Sequence, residues 1–342
     1  MIQAHEQLRF GPEAFGGQAR PLKLAFIVDP VETLKAYKDS TIAMMRAAER
    51  HGHEVFAIEM HSLVWRRPDS PGQPGVFGEA VHLRTRPDDH DWYRETGRAM
   101  IPLRQFNAVV IRKDPPFNFE YLAATWLLER AEAEGVQVVN KPRALRDHSE
   151  KLSIAEFDRF TAPTLVACNM QRLHEFIDQE RDVILKPLDG MGGHQIFRVH
   201  RNDPNRNVIV ETLTENGQRA IMAQRHLHEI AQGDKRILLI GGKVVPFCLA
   251  RIPKAGETRG NLATGGTGVA QELSTRDLEI AETLAETLMQ RGLLLVGIDV
   301  IGNCLTEINV TSPTCMVEIR QQTGFDAAGA FITALEHRCE NS

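Results

Sequence analysis

The sequence predicts an α/β chain that turns α+β in its second half, and three observations carry that reading. From Leu22 onward, continuous apolar runs of strand length alternate with stretches of helical period. Val183 to Gly193, V-I-L-K-P-L-D-G-M-G-G, is an apolar strand that breaks at once into a glycine-rich loop. Gly297 to Thr311, G-I-D-V-I-G-N-C-L-T-E-I-N-V-T, holds two strand-like runs around a Gly-Asn turn, with acids on both. A chain of 342 residues is long enough for about two domains and a substantial core.

Residues 1–21 are polar and glycine-rich without a sustained period, and are expected to form a flexible extension outside the fold. A first domain is expected over 22–145. Its opening strand runs from Leu22 to Val28, and a helix follows from about Ser40, whose hydroxyl can cap it, to His51, with Gly52 as its stop. A strand over 54–59 comes next. The interval 66–90, rich in Pro, Gly and Asp, reads as a surface excursion with one hairpin around Gln73 to Gly78. A strand over 108–112, a helix over 118–134 and a strand over 136–139 complete the unit. The unbroken apolar character of these strands points to a parallel sheet covered on both faces. A short helical or looped connection around Asn140 to Ser149 leads into a second domain over 146–342. There Lys151 begins a helix ending near Phe160. A strand over 164–167, a helix over 171–178 and the strand 183–186 form one α+β lobe, and residues 208–310 supply a second, largely antiparallel one.

The chemistry sits at the two unusual stretches. Lys186 brings a compact positive charge to a strand end, and Gly190, Gly192 and Gly193 let backbone N–H groups come close to oxygens, which is how a chain holds a phosphate. The same letters also fit a plain β-turn after a strand. No G-x-x-x-x-G-K-[ST] string occurs, so this is not a P-loop. In the second stretch Glu307 and Asn309 are two apart and share a strand face. A three-residue loop over 302–304 would pair Ile301 with Leu305 and bring Asp299 opposite Glu307; a two-residue turn would send Asp299 to the other face. The three-residue or bulged loop is the expectation, because two carboxylates and an amide then converge as oxygen ligands suited to Mg²⁺. A solvated hairpin with surface acids is the alternative, and it leaves Asp299 unexplained inside an apolar run.

Composition narrows the classes. A net charge of −5 supplies no electrostatic reason to expect nucleic acid or an anionic membrane as partner. The five cysteines, Cys168, Cys248, Cys304, Cys315 and Cys339, are an odd count without a C-x-x-C pair, which suits reduced thiols in a cytoplasm. Thirteen histidines include no H-E-x-x-H. No apolar run approaches the roughly 20 residues that span a bilayer, and no signal pattern opens the chain. A soluble, cytoplasmic protein is expected.

The lysine strand, its glycine loop and the D…E-x-N hairpin together resemble the ATP-grasp superfamily, and within it the chain is similar to the bacterial glutathione synthetases. The resemblance rests on R-K-D-P-P-F from Arg112, V-N-K-P from Val139, E-K-L from Glu150, I-L-K-P-L-D-G-M-G-G from Ile184, A-R-I-P from Ala250, E-T-R-G-N-L-A from Glu257 and T-E-I-N-V-T-S-P-T-C from Thr306. It covers nearly everything from Leu22 to the end. It implies an ATP-grasp fold behind an N-terminal parallel α/β domain, and an ATP-dependent ligase that joins γ-glutamylcysteine and glycine through an acyl phosphate. The cofactor implied is Mg²⁺, with Mn²⁺ in its place, at Asp299, Glu307 and Asn309; the assembly implied is a homotetramer.

Further roles follow from the resemblance. Lys151, in its E-K-L context, is implied as a phosphate contact beside Lys186. Gln224 and Leu227, in M-A-Q-R-H-L, match the linker whose main chain pairs with the purine edge. Glu211 and Asp234 are weaker nucleotide candidates, since a ribose carboxylate and a surface acid look alike. Arg112, Arg236 and Arg251 stand at strand edges, where a guanidinium can hold substrate carboxylate or phosphate bidentately and can equally serve a salt bridge. Ser312 and Thr314 are expected to receive the substrate carboxylate, with Cys315 a packed thiol. Residues 252–268, with five glycines and few apolar anchors, read as a mobile lid shielding the acyl phosphate from water, with Arg259 and Asn261 as its reaching groups. Thr267 stands where one member of the family carries an arginine, so a charged lid contact is expected to be absent or supplied elsewhere. Two alternatives stay open: an ATP-grasp ligase for another acid and amine, and a nucleotide-binding regulatory protein without turnover.

Overall fold

The computed structural model of the chain describes residues 20–340, apart from 258, 261, 263 and 264, and builds three sheets among them. The first contains β1 (Lys23–Val28), β2 (Glu54–Glu59), β3 (Val64–Trp65), β4 (Val76–Thr85), β5 (Tyr93–Pro102), β6 (Ala108–Ile111) and β7 (Gln137–Val139). Five consecutive residues of β1 are buried, so both its faces must be covered, and its neighbours β2 and β6 lie parallel to it. β7 continues the parallel run beside β6. The expected all-parallel sheet is nevertheless only the centre of a mixed one. β4 joins β2 antiparallel and carries β5 as an antiparallel ribbon. The interval 66–90 therefore holds a full sheet strand and two turns: β3 and β4 make a short hairpin through 66–75, close to the one expected around Gln73 to Gly78, and the longer ribbon turns between Thr85 and Tyr93. Gly78, Glu79 and His82 interrupt the apolar letters of β4, while its buried side alternates through Val76, Gly78 and Ala80.

Helix α1 (Ser40–Arg50) starts one residue earlier in its capping than expected. Asp39 accepts hydrogen bonds from the N–H groups of Thr41 and Ile42 at 2.7 and 3.1 Å, and the Ser40 hydroxyl instead accepts from Met316 N at 3.2 Å. Gly52, at φ +85°, stops the helix as anticipated. Helices α2 (Phe119–Ala133) and α3 (Pro142–Asp147) follow. The helix expected from Lys151 is a 3₁₀ segment over Leu152–Phe160, interrupted at Phe157.

The second sheet is antiparallel throughout, with β8 (Thr164–Ala167), β9 (Asp182–Pro187), β10 (Phe197–His200) and β11 (Ile221–Arg225) in the order β10-β9-β11-β8. Helices α4 (Met170–Glu180) and α5 (Arg206–Leu213) cover it through Leu173, Ile177, Val210 and Leu213. This corrects the boundary between the lobes. Residues 208–225 belong to the first lobe because β11 pairs between β8 and β9, and the second lobe begins at Asp234.

That second lobe is a five-stranded antiparallel sheet of β12 (Asp234–Ile240), β13 (Lys243–Ile252), β14 (Thr267–Glu272), β15 (Leu295–Ile301) and β16 (Cys304–Asn309), ordered β14-β13-β12-β15-β16. Helix α6 (Thr275–Gln290) opens on a capping box between Ser274 and Asp277, and α7 (Met316–Thr323) and α8 (Ala327–Glu340) close the chain. One apolar cluster runs from Ile27 and Val109 of the first sheet through Tyr121, Leu145 and Phe160 to Leu239 and Ile298. The back of the third sheet is thus fixed to the first.

The segment between α1 and β2 is tied to α8 by a polar brace. His53 Nδ1 accepts the Leu22 N–H at 3.2 Å, so its Nε2 carries the proton and donates to Glu336 Oε1 at 2.7 Å. With that tautomer the cluster of His51, His53 and Glu336 is a hydrogen-bonded strut rather than a cation site. Among the described residues, no helix is long and apolar enough to cross a membrane.

Candidate active site

A cavity of about 520 Å³ opens where the second and third sheets face each other across the ends of the first. β9 carries Lys186 to its rim, where the buried ammonium lies 3.7 Å from Glu307 Oε1 and 3.4 Å from the Thr306 carbonyl. Burial pushes the Lys186 pKa down, and the charge of Glu307 works against that shift. Lys151 approaches from the turn before the 3₁₀ segment: its Nζ is 3.6 Å from the same Glu307 oxygen and donates to the Gly190 carbonyl. One carboxylate oxygen therefore sits between two ammonium groups. Beyond Lys186 the chain turns through Gly190, Gly192 and Gly193, all on the cavity wall, with the last two at φ +62° and +82°. A Cβ on Gly190 would stand 3.0 Å from Pro187 Cγ, so the loop needs its glycines to fold this tightly.

The hairpin brings its acids together by a bulge, as one of the two expected routes had it, but the bulge lies in the strand and not in the loop. Ile301 pairs with Cys304, so the turn has two residues, Gly302 and Asn303, and by itself would send Asp299 to the wrong face. A bulge at Thr306 restores the register: Val300 pairs with Leu305 and Asp299 with Glu307. The Thr306 hydroxyl donates to the Asp299 carbonyl at 3.1 Å and holds the bulge.

Asp299 is almost wholly buried and heavily paired. Arg236 grips it bidentately, Nε to Oδ1 at 2.5 Å and Nη2 to Oδ2 at 3.0 Å, and Arg251 Nη2 adds a contact to Oδ2 at 2.9 Å. Burial disfavours its charge, but the two guanidinium groups overcome this and hold Asp299 well below the usual carboxylate range. The Asn309 Nδ2 donates to Gly297 O at 3.1 Å and to Asp299 Oδ2 at 3.2 Å, which leaves its Oδ1 as the atom offered to a cation. An oxygen-only set of Asp299, Glu307 and Asn309, two of its members charged, fits a hard divalent ion such as Mg²⁺.

The arginines expected to hold substrate are divided in their use. Arg236 and Arg251 line the cavity while also pairing with Asp299, and each guanidinium has N–H groups beyond those bonds. Arg251 Nη2 also reaches Asp234 Oδ2 at 2.6 Å, so Asp234 serves an arginine on the cavity wall. Burial, with the nearby Asp299 and Glu307 charges, pushes the Asp234 pKa up to about 7 against the pull of Arg251. Arg112 does not line the cavity. It is buried behind it, donating from Nε to Thr41 Oγ1 at 3.1 Å and from Nη2 to Pro313 O at 2.9 Å. Glu211 is exposed on α5, away from the cavity, and is removed from the nucleotide candidates. Gln224 is buried on β11, with its Nε2 donating to Thr164 Oγ1 at 2.9 Å, and Leu227 follows on the cavity wall.

Gly297 makes the arginine cluster possible. A Cβ there would meet Pro313 Cβ at 2.8 Å and Arg236 Cδ at 2.9 Å. Gly297→Ala is expected to displace Arg236 from Asp299, destabilise the protein by about 1–3 kcal/mol in urea unfolding, and raise the KM of any acid that Arg236 binds. An unchanged KM together with unchanged stability would show that the packing tolerates the methyl group.

Ser312 and Thr314 both reach the cavity, with the Ser312 hydroxyl donating to Asp114 Oδ1. Cys315 is buried and its thiol is pushed up by that burial, in keeping with a packed rather than a reactive group. The segment 252–268, expected as a lid, is strand at both ends. Ile252 pairs with Thr267 and Arg251 with Gly268, so the ends of 252–268 are strands and the loop lies between them. Thr267 is the exposed first residue of β14. Arg259 closes across the cavity, donating from Nη1 to Gly193 O at 3.3 Å while Glu257 holds its other nitrogens at 2.7 and 3.0 Å. Asn261 lies outside the described residues.

The sequence reading missed the first-sheet wall. Asp29, at the end of β1, pairs with Lys113 at 2.8 Å and accepts the Asp114 N–H at 3.1 Å. Nothing periodic marks these residues; only their place at the carboxyl ends of parallel strands does. Glu150 was passed over as well, although it stands beside Lys151 in E-K-L.

Two antiparallel sheets closing on a lysine-flanked carboxylate, a glycine loop and an acid-bearing hairpin define an ATP-grasp protein. Solved structures share this fold: a D-cycloserine synthetase matches with a TM-score of 0.64 over 93% of this chain and 99% of its own, at 15% identity. The D-alanyl-alanine synthetase A of Vibrio cholerae matches with a TM-score of 0.57 over 94% and 99%, at 13% identity. The chain belongs to the prokaryotic glutathione synthetase family, whose N-terminal domain matches residues 22–146 and whose ATP-grasp domain matches 150–324. Relatives named glutathione synthetase include one from Ralstonia nicotianae, 55% identical over 92% of this chain and 95% of its own. Another, from Nitrosomonas europaea, is 56% identical over 92% and 98%.

Proposed function

We propose that this chain joins γ-L-glutamyl-L-cysteine to glycine, converting ATP to ADP and phosphate. The observation that carries this reading is the family match through both halves, because the lysines and the acid hairpin alone serve other ATP-grasp ligases equally well. The cysteinyl carboxylate oxygen attacks the γ-phosphorus of ATP and ADP leaves, forming an acyl phosphate. The glycine amine then attacks the acyl carbon, phosphate departs, and the amine gives up its proton as the amide forms.

The chain's own part is to position the reactants and compensate their charge. Lys151 and Lys186 face the phosphates, backbone N–H groups of Gly190, Gly192 and Gly193 approach their oxygens, and the main chain at Gln224 and Leu227 receives the adenine. Arg236 and Arg251, with Ser312 and Thr314, hold the acid substrate; Asp234 supports Arg251, and Arg112 backs the segment through Pro313. Arg259 and Asn261 belong to the loop that excludes water from the acyl phosphate. Asp299, Glu307 and Asn309 would hold Mg²⁺, or Mn²⁺ in its place. Such an ion supplies charge neutralisation on phosphate oxygens.

The division into a substrate-side domain over 22–145 and an ATP-grasp domain over 146–342 belongs to the same reading, as do a cytoplasmic location and the homotetramer that the sequence resemblance implies. ADP release in the presence of Mg²⁺ and ATP is expected only when γ-glutamylcysteine and glycine are supplied together. Turnover with D-alanine or another amino-acid pair instead would leave the ATP site standing and overturn the substrates.

A further inference from the structure

We infer that Glu150 is a positioning residue that fixes the exit of the ligand-bearing strand β16. Its main-chain carbonyl accepts the Ile308 N–H at 2.8 Å. Its side-chain Oε1 accepts three more donors: Val310 N at 2.9 Å, Thr311 N at 3.0 Å and Thr311 Oγ1 at 2.8 Å. One residue thus satisfies four donors over 308–311, the segment that contains Asn309 and directly follows Glu307. Ile308, Val310 and Thr311 are all buried, so leaving their donors without a partner is costly, and three of these bonds converge on one carboxylate oxygen.

The next residue works on the other side of the same strand. Lys151 lies 3.6 Å from Glu307 and donates to the Gly190 carbonyl of the glycine loop. Side chains alternate along a strand, so anchoring the backbone at Ile308 and Val310 sets the direction of both Glu307 and Asn309. The dipeptide Glu150-Lys151 therefore joins the hairpin to the glycine loop, with Glu150 acting through the backbone and Lys151 through charge. Glu150 itself lines the cavity wall beside Thr311 and Ser312.

This inference rests on Glu307 and Asn309 as cation ligands, and its test separates the two ideas. Mn²⁺ binding to the full-length protein is measured by electron paramagnetic resonance, in the presence of a non-hydrolysable ATP analogue and without turnover. Glu150→Ala is expected to weaken Mn²⁺ binding about 10-fold, the size seen when residues supporting metal ligands are removed. Glu150→Gln, which keeps one acceptor oxygen, is expected to recover most of that loss. Hydrogen exchange of the 308–311 amides, followed without any metal, is expected to speed up in Glu150→Ala. A purely structural role would lower thermal stability and the active fraction while leaving Mn²⁺ affinity unchanged. If Glu307→Gln abolishes Mn²⁺ binding while Glu150→Ala binds as wild type, the positioning role is overturned, whether or not the exchange of 308–311 speeds up. If Glu307→Gln itself binds Mn²⁺ normally, the cation assignment is wrong and the inference falls with it. Should Glu150→Ala fail to fold, Glu150→Asp, whose carboxylate is one methylene short of the three donors on Oε1, carries the comparison, with wild-type affinity and wild-type exchange as the overturning result.

Discussion

Glu307→Gln is expected to keep its fold and lose about 10²–10³-fold in kcat/KM for ADP formation, the usual cost of removing one preorganised charge from a transition-state site. The fold survives because the Glu307 carboxylate makes its contacts to Lys151 and Lys186 at 3.6 and 3.7 Å, beyond hydrogen-bond length, on a partly open wall. The chemistry suffers because the same oxygen counters both ammonium groups. Burial already pushes Lys186 down, and Glu307 is the largest influence raising it. Without Glu307, Lys186 gives up its proton at lower pH, and the alkaline limb of activity moves toward neutrality. Rate profiles over pH and Mg²⁺ concentration, with a thermal melt, check all three points. Turnover and Mg²⁺ dependence equal to wild type would remove Glu307 from the cation site.

Asp299→Ala is expected to have the largest effect on stability, about 3–5 kcal/mol in urea unfolding, because it leaves the Arg236 and Arg251 guanidinium groups buried around a missing charge. The folded-state pKa of Asp299 is depressed. Its stabilisation is thus present above the unfolded carboxylate value of about 3.9 and lost only as pH falls through the folded value. Asp299's own contribution to the gap between wild type and variant should therefore be flat from about pH 5 to 8 and be lost only in strong acid, so any slope of the gap between pH 5 and 7 reports Asp234. Asp234 acts with the opposite sign. Its folded pKa is raised to about 7, so the native state takes up protons that the unfolded chain releases, and stability falls as pH rises toward 7. Asp299 is one of the charges raising it, so Asp299→Ala should also weaken that slope. A variant as stable as wild type at pH 7 would mean that the arginines find other partners or that water enters the cluster.

Much of the site was legible because its residues come in short strings whose spacing is chemical. A lysine at the end of an apolar strand followed by glycines, and Glu-x-Asn on one strand face, each specify a local geometry that neighbouring residues enforce. Asp299 was expected opposite Glu307 through a three-residue or bulged loop and stands there, with a two-residue turn and the bulge displaced from the loop to Thr306. A one-residue bulge shifts every side chain beyond it to the other face, and Thr306 was as good a place for it as the turn. Asp29, Asp114 and Glu150 were not legible, because they touch partners from 85 to 198 positions away in the chain.

The strands, most helix ends and the two motif loops follow from the sequence by itself, since apolar period, caps and glycine positions act over a few residues. Three features were decided only in the tertiary structure: β4 beside β2, β11 between β8 and β9, and the capture of Asp299 by two arginines from neighbouring strands. Strand pairing is a choice among many edges of similar apolar character, settled by which arrangement buries all of them at once. A charge in that interior must then find its counter-charge wherever the sheet brings one, and here β12 and β13 bring Arg236 and Arg251 to the acid on β15.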